Sequence, residues 1–244
     1  MAVVIPGRFN GPAASGNGGY SCAVFARAVT GGDRGGAVVT LRTPPPLDTA
    51  LTVEHDGDGG RILHGGTLVA EAAPSPTGPG AWPVPPAVPP ATAREAQRRY
   101  RGHEFHPFPG CFVCGPGRPA RDGLALEPGA VPGRAATVAC AWEPAADLAD
   151  GAGEIGAPLV WAALDCPGAW TQDLAAHPMV LGRMAAEITA LPRAGEPYVV
   201  VASSAPPLGR KVLSHTALYD AEGALLASAA ATWITIPSGD VPPA

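Results

Sequence analysis

The chain has 244 residues, of which 46% are hydrophobic and 15% charged, and its formal net charge is −5. That length can bury one large core or two small ones, and the composition excludes a charge-dominated disordered chain. The basic residues are scattered except for Arg94, Arg98, Arg99 and Arg101, a short cluster that reads as a solvated helix face, so no nucleic-acid partner is expected.

The first residues, Met1 to Pro6, lack the basic start and long apolar run of a signal peptide. No uninterrupted apolar stretch approaches the roughly 18 residues of a membrane span, so no membrane partner is expected. Five cysteines (22, 111, 114, 140 and 166) form an odd set without secretory context. They predict a reducing, cytoplasmic location rather than a disulfide framework.

In chain order, a short apolar strand (Val3 to Ile5) leads to the turn Gly16-Asn17-Gly18-Gly19. Tyr20 to Val29 has helical apolar spacing and ends at Gly31-Gly32. Strands are predicted at Ala37 to Leu41, Leu51 to His55, Arg61 to His64 and Thr67 to Ala72, with hairpin turns at Asp56-Gly57 and Gly65-Gly66. The proline-dense run from Pro74 to Pro90 predicts a stiff, polyproline-like linker. A short helix follows from Thr92 to Arg101, with Thr92 and Glu95 in a capping-box pattern.

The second part repeats the order. Thr137 to Trp142 reads as a strand and Pro158 to about Cys166 as a helix. Strands follow at Val180 to Ala190, Tyr198 to Ala205, Lys211 to Tyr219 and Ala224 to Ile236, the last two joined by the turn Asp220-Ala-Glu-Gly223. A repeated order of strand, helix and four strands points to duplication. One helix on an antiparallel sheet leaves a strand edge exposed, and two such units can pair edges into one sheet. The fold class is therefore α+β, with an N-terminal half over 1–79, linker and short helix over 80–105, a C-terminal half over 106–237 and a tail over 238–244.

These features resemble the hotdog thioesterase superfamily in its fused double-hotdog form: two helix-wrapped antiparallel sheets joined into one continuous sheet. Active members carry a His-Gly-Gly turn at the start of the central helix and an acid seven residues after the second glycine. Asn17-Gly18-Gly19 matches that turn, but Ala26 stands where the acid would be. In the second half Gly156-Ala157-Pro158 occupies the turn, and Asp165 stands at the acid position. Each half keeps what the other lacks. The resemblance thus implies one site, with Gly18 and Gly19 facing Asp165 across the junction of the halves.

The chemistry suits those residues. Thioester hydrolysis builds negative charge on the carbonyl oxygen, which backbone N–H groups at a helix N-terminus can receive. A carboxylate can act as general base for water or as nucleophile. Asn17, Gly18, Gly19 and Asp165 are the candidate catalytic residues. Asn17-Gly-Gly can equally be a plain turn and helix cap, whereas an acid among Trp161, Ala162, Ala163, Leu164 and Cys166 is costly to bury without a purpose.

Asn10 is a candidate for holding the thioester carbonyl, and Tyr20 and Trp161 for lining the acyl pocket. Arg210 and Lys211 are candidates for the coenzyme A phosphates, with Arg61 a weaker counterpart. Cys166 reads as a buried free thiol. His103, His106, Cys111 and Cys114 have the spacing H-x2-H-x4-C-x2-C, which can hold zinc. Related proteins carry a similar Cys-x-x-Cys-Gly ahead of a Gly-Leu, here Gly123-Leu124, as a structural lead-in to a strand, so no metal is assigned.

The expected function is hydrolysis of an acyl thioester, with acyl-CoA the first candidate, no cofactor and a possible homo-oligomeric state. The alternatives are a non-catalytic acyl-CoA-binding or scaffold protein and a hotdog enoyl hydratase or dehydratase. The latter wants a histidine near the acid, and His177 is the nearest one following Asp165 in the sequence.

Overall fold

The computed structural model describes residues 1–32, 36–75, 81–119 and 122–241. Eleven strands and three α-helices are described among them. The first half contains β1 (Ala2–Val3), α1 (Gly18–Thr30), β2 (Ala37–Leu41), β3 (Leu51–Asp56), β4 (Gly59–His64) and β5 (Thr67–Pro74). Then come α2 (Pro90–Gln97), β6 (Gly129–Ala130), β7 (Thr137–Trp142), α3 (Ala157–Ala169), β8 (Met179–Ile188), β9 (Tyr198–Ser204), β10 (Lys211–Asp220) and β11 (Leu225–Thr235).

All strands join one antiparallel sheet in the order β1-β3-β4-β5-β2-β8-β11-β10-β9-β7-β6. The order runs outward from the β2–β8 seam in matching fashion. β2, β5, β4, β3 and β1 on one side correspond to β8, β11, β10, β9 and β7 on the other. At the seam Ala37 pairs with Ala186 and Val39 with Met184, so each half removes the other's exposed edge.

Both long helices lie on one face of the sheet. α1 buries Cys22, Phe25, Ala26 and Val29, the stripe that its sequence spacing predicts. It ends at Gly31, in the left-handed conformation expected of a helix C-terminus. In α3 every residue except Pro158 is buried, because the sheet, α1 and the segment around Phe112 surround it. Asp165 is the single charged residue of α3.

The predicted strands and helices are present, with several corrections. The first strand is Ala2–Val3 rather than Val3 to Ile5; Ile5 makes only an isolated bridge to Leu47 ahead of Pro6, which has no N–H to continue a ladder. α1 begins two residues earlier than expected, at Gly18. α3 continues past Cys166 through Pro167, which sits in its last turns and removes one N–H without ending the helix. α2 spans Pro90–Gln97 instead of Thr92 to Arg101. Proline at the first position has the helical φ in advance, so Thr92 falls inside the first turn and caps nothing. Glu95 pairs with Arg98 and Arg99 instead.

The proline-rich segment is more than a spacer. Residues 76–80 of it lie outside the described residues. Beyond them the chain crosses the outer face of the sheet: Trp82 Nε1 donates to Ser228 Oγ at 3.2 Å, and Tyr219 Oη donates to the Pro85 carbonyl at 2.6 Å. Val88 and the buried face of α2 (Ala93, Ala96) cover Ala139, Val199, Val201 and Ala217. Strand alternation sends those side chains away from α1 and α3, so the second half has a core on each side.

α2 sits so close to β6 that a Cβ on Gly129 would stand 1.9 Å from the Ala96 carbonyl oxygen. Gly129→Ala is expected to destabilise the protein by about 2 kcal/mol through overpacking. A lower urea midpoint at unchanged m-value is the readout.

Candidate active site

The site grows from the close crossing of α1 and α3. A Cβ on Gly19 would stand 2.5 Å from the Trp161 carbonyl oxygen and 2.6 Å from Asp165 Cβ. Glycine therefore lets the start of α1 reach the middle of α3. There Asp165, only 2% exposed, turns its carboxylate to the α1 N-terminus. Asp165 Oδ2 accepts from the Gly19 N–H at 2.9 Å and from Asn17 Nδ2 at 2.9 Å.

Asn17 has two jobs. Its Oδ1 accepts from the Tyr20 N–H at 2.9 Å and caps α1, while its amide nitrogen holds Asp165. Asp165 Oδ1 is buried and has no hydrogen-bond partner among the described residues. Burial pushes the Asp165 carboxyl up to about 7, assisted by the nearby Cys111 and opposed by the bonds from Gly19 and Asn17.

Asn17, Gly18 and Asp165 line a cavity of about 350 Å³ whose wall is mostly apolar, including Leu41, Phe108, Leu174, Met179 and Leu181. Gly18 opens α1, so its N–H belongs to the first-turn donors that have no acceptor within the helix. The Gly19 N–H, expected to face a substrate oxygen, is instead engaged by Asp165. Gly18 is thus the amide left at the cavity.

The corresponding place in the other orientation differs. Ala26 is buried where an acid would be, and the start of α3 has no side-chain cap at Gly156. A smaller cleft of about 220 Å³ lies there, lined by Ala23, Ala26, Ala157 and Trp161.

No protein-family model matches the sequence, and no curated protein matches it. Solved structures do. A TesB protein from Mycobacterium avium subspecies paratuberculosis is 13% identical, with a TM-score of 0.60 over 93% of this chain and 89% of that one. A conserved protein with a hot dog fold from Alicyclobacillus acidocaldarius is 13% identical, with a TM-score of 0.59 over 97% and 92%. An acyl-CoA thioesterase II from Mycobacterium marinum is 16% identical, with a TM-score of 0.52 over 85% and 82%. The chain has the double hotdog fold.

Within the double hotdog, the remaining candidate residues separate. Tyr20 stacks on Phe9, with ring centroids 3.9 Å apart, and is not part of the cavity wall. Trp161 lines the second cleft rather than the Asp165 cavity. Asn10 is occupied elsewhere: its amide nitrogen donates to the Gly110 carbonyl at 3.1 Å and its Oδ1 accepts from Arg118 at 2.6 Å. It ties the first half to the 110–118 loop. Arg210, in the turn before β10, lines the cavity, whereas Lys211, the first residue of β10, does not. Arg61 pairs with Glu54 on the exposed face of β3 and β4.

Several cavity residues had no place in the sequence reading of the site. Arg42 reaches the rim from the end of β2. His106 and Trp170 join it from chain segments distant from the glycine turn. Both His106 ring nitrogens are engaged, Nδ1 by the Phe108 N–H at 2.9 Å and Nε2 by Cys114 Sγ at 3.3 Å. His103 lies apart, in an exposed pair with Glu127.

Gly19→Ala is expected to force α1 and α3 apart and cost about 2–3 kcal/mol. The nearest atoms to a Cβ on Gly18 all belong to the Leu181 side chain, including its Cβ at 2.8 Å, rather than to backbone, so Gly18→Ala is also destabilising but should cost less than Gly19→Ala. Thermal melts of the two variants side by side check the order.

Proposed function

We propose that the chain hydrolyses acyl thioesters, with acyl-CoA the substrate class, at one site between its halves. The observation that carries this reading is Asp165: a cavity-lining residue whose buried carboxylate has one oxygen fixed by the start of α1 and the other without a partner. A buried carboxylate oxygen without a partner is costlier than the unpartnered hydroxyl of Ser21 or indole N–H of Trp142, and an acid so placed at a cavity is a candidate for function.

In this mechanism the acyl chain occupies the apolar cavity and its carbonyl lies against the start of α1. The Gly18 N–H and the helix dipole stabilise the oxyanion. Asp165 Oδ1 takes a proton from water or attacks the carbonyl itself; both use the same lone pair. The bonds from Gly19 and Asn17 to Oδ2 fix the carboxylate, so it needs no reorganisation during the reaction. With Ala26 in place of an acid, the second cleft has no such group. Arg210, at the cavity wall and exposed, suits the phosphates of the CoA portion, with Arg42 at the same rim. The likeness to an acyl-CoA thioesterase II supports the same class.

The enoyl hydratase reading loses ground, because the histidine in the cavity has both ring nitrogens occupied.

Asp165→Asn keeps the shape and an oxygen for Gly19 and Asn17 but replaces the free oxygen by an amide. It is expected to lower kcat for thiol release from a panel of acyl-CoAs by at least about 100-fold at a similar melting temperature. Unchanged hydrolysis in this variant would leave acyl binding without catalysis at Asp165.

Arg210→Glu is expected to raise KM about tenfold for acyl-CoA and to leave KM for the matching acyl-pantetheine, which lacks the nucleotide, unchanged. Equal effects on both substrates would remove the phosphate role.

A further inference from the structure

Three cysteines from two parts of the chain meet beside the Asp165 cavity. Cys111 and Cys114 come from the loop before β6, and Cys166 from α3. All three are buried and free. Their sulfurs lie within 4.8 Å of one another, and Cys111 Sγ is 3.7 Å from Cys166 Sγ. His106 Nε2 lies 3.3 Å from Cys114 Sγ.

We propose that Cys111, Cys114 and Cys166, with His106 as fourth ligand, bind a zinc-type divalent cation. Zinc–sulfur bonds of about 2.3 Å in a tetrahedron put the sulfurs about 3.8 Å apart, close to the Cys111–Cys166 separation. The surroundings supply donors to the sulfurs as thiolate metal sites require. Trp170 Nε1 points at Cys114 Sγ at 3.5 Å, and Asn17 Nδ2 approaches Cys166 Sγ at 3.8 Å. The site differs from the spacing visible in the sequence. His103 is absent from it, and Cys166, fifty-two residues after Cys114, takes its place.

The ligands are unequal. The three thiols, already within 4.8 Å of one another, need only lose protons and close in around the cation. His106 lies outside the close group of three sulfurs, so its ring must move inward and free Nε2, which faces Cys114 in the metal-free arrangement while Nδ1 accepts from the Phe108 N–H. Coordination moves the ring proton to Nδ1 and breaks that bond. The thiolates therefore form the tight core, and His106 completes it at lower gain. The cation would pin the loop to α3 one residue after Asp165. Its role is to position the helix carrying that carboxylate.

The test uses the full chain, purified with reductant from cells grown with added zinc. About one zinc per chain is expected by elemental analysis. Replacing it with cobalt should give the sulfur-to-cobalt charge-transfer band and the intense visible bands of a tetrahedral centre. That spectrum needs no variant to fold. Cys166→Ser should lose most of the metal and the charge-transfer intensity. Cys140→Ser, whose thiol lies outside the cluster, should keep both. His106→Gln should keep the charge-transfer band, shift the visible bands and weaken binding about tenfold or more. Several outcomes would overturn the proposal: protein free of metal with a featureless cobalt titration, a spectrum unchanged by Cys166→Ser, or a Cys111–Cys166 disulfide in protein purified without reductant and devoid of zinc.

Discussion

Taking a carboxylate out of water costs several kcal/mol unless fixed donors replace its hydration. In this chain the donors come from the other half: Asp165 Oδ2 rests on the Gly19 N–H and the Asn17 amide. Much of the surrounding architecture follows from that contact. It requires a glycine where α1 crosses α3, an asparagine that can cap one helix while holding the acid of the other, and a helix N-terminus aimed at the middle of its neighbour. It also leaves the buried Asp165 Oδ1 without a partner, in a residue that lines the cavity.

The sheet makes that crossing possible. Pairing of β2 with β8 brings both helices onto one continuous face and sets them side by side over the seam. The opposite face of the second half is covered by residues of the linker and α2, which place Val88, Ala93 and Ala96 over the strands. An extended proline-rich chain suits this role, since it lies flat without needing ladder partners of its own. Tyr219 and Trp82 anchor it at two points along its path.

The two central helices differ in character. α1 keeps a glycine start and an ordinary amphipathic face, while α3 has become almost wholly buried and carries the acid. Ala26 stands in α1 at the position that matches Asp165 in α3, and Ala157-Pro158 stand where α1 has Gly18-Gly19. Trp161 lines the smaller cleft.

The sequence by itself determined the duplicated order and most strand and helix positions, which are set by local periodicity and turn residues and are legible one segment at a time. The pairing of Asn17-Gly18-Gly19 with Asp165 is implied by the resemblance to hotdog thioesterases. Only the tertiary structure decided which of the other candidates share the cavity. Arg210, in the turn ahead of β10, lines it, while Lys211, one residue on and already in the strand, does not. Asn10 and Tyr20 are claimed by Arg118, Gly110 and Phe9, partners distant in sequence or set by loop geometry. The meeting of Cys166 with Cys111 and Cys114 depends on where a loop folds over a helix. No spacing rule spans such a gap, because the contact is made by packing between segments and not by either segment alone.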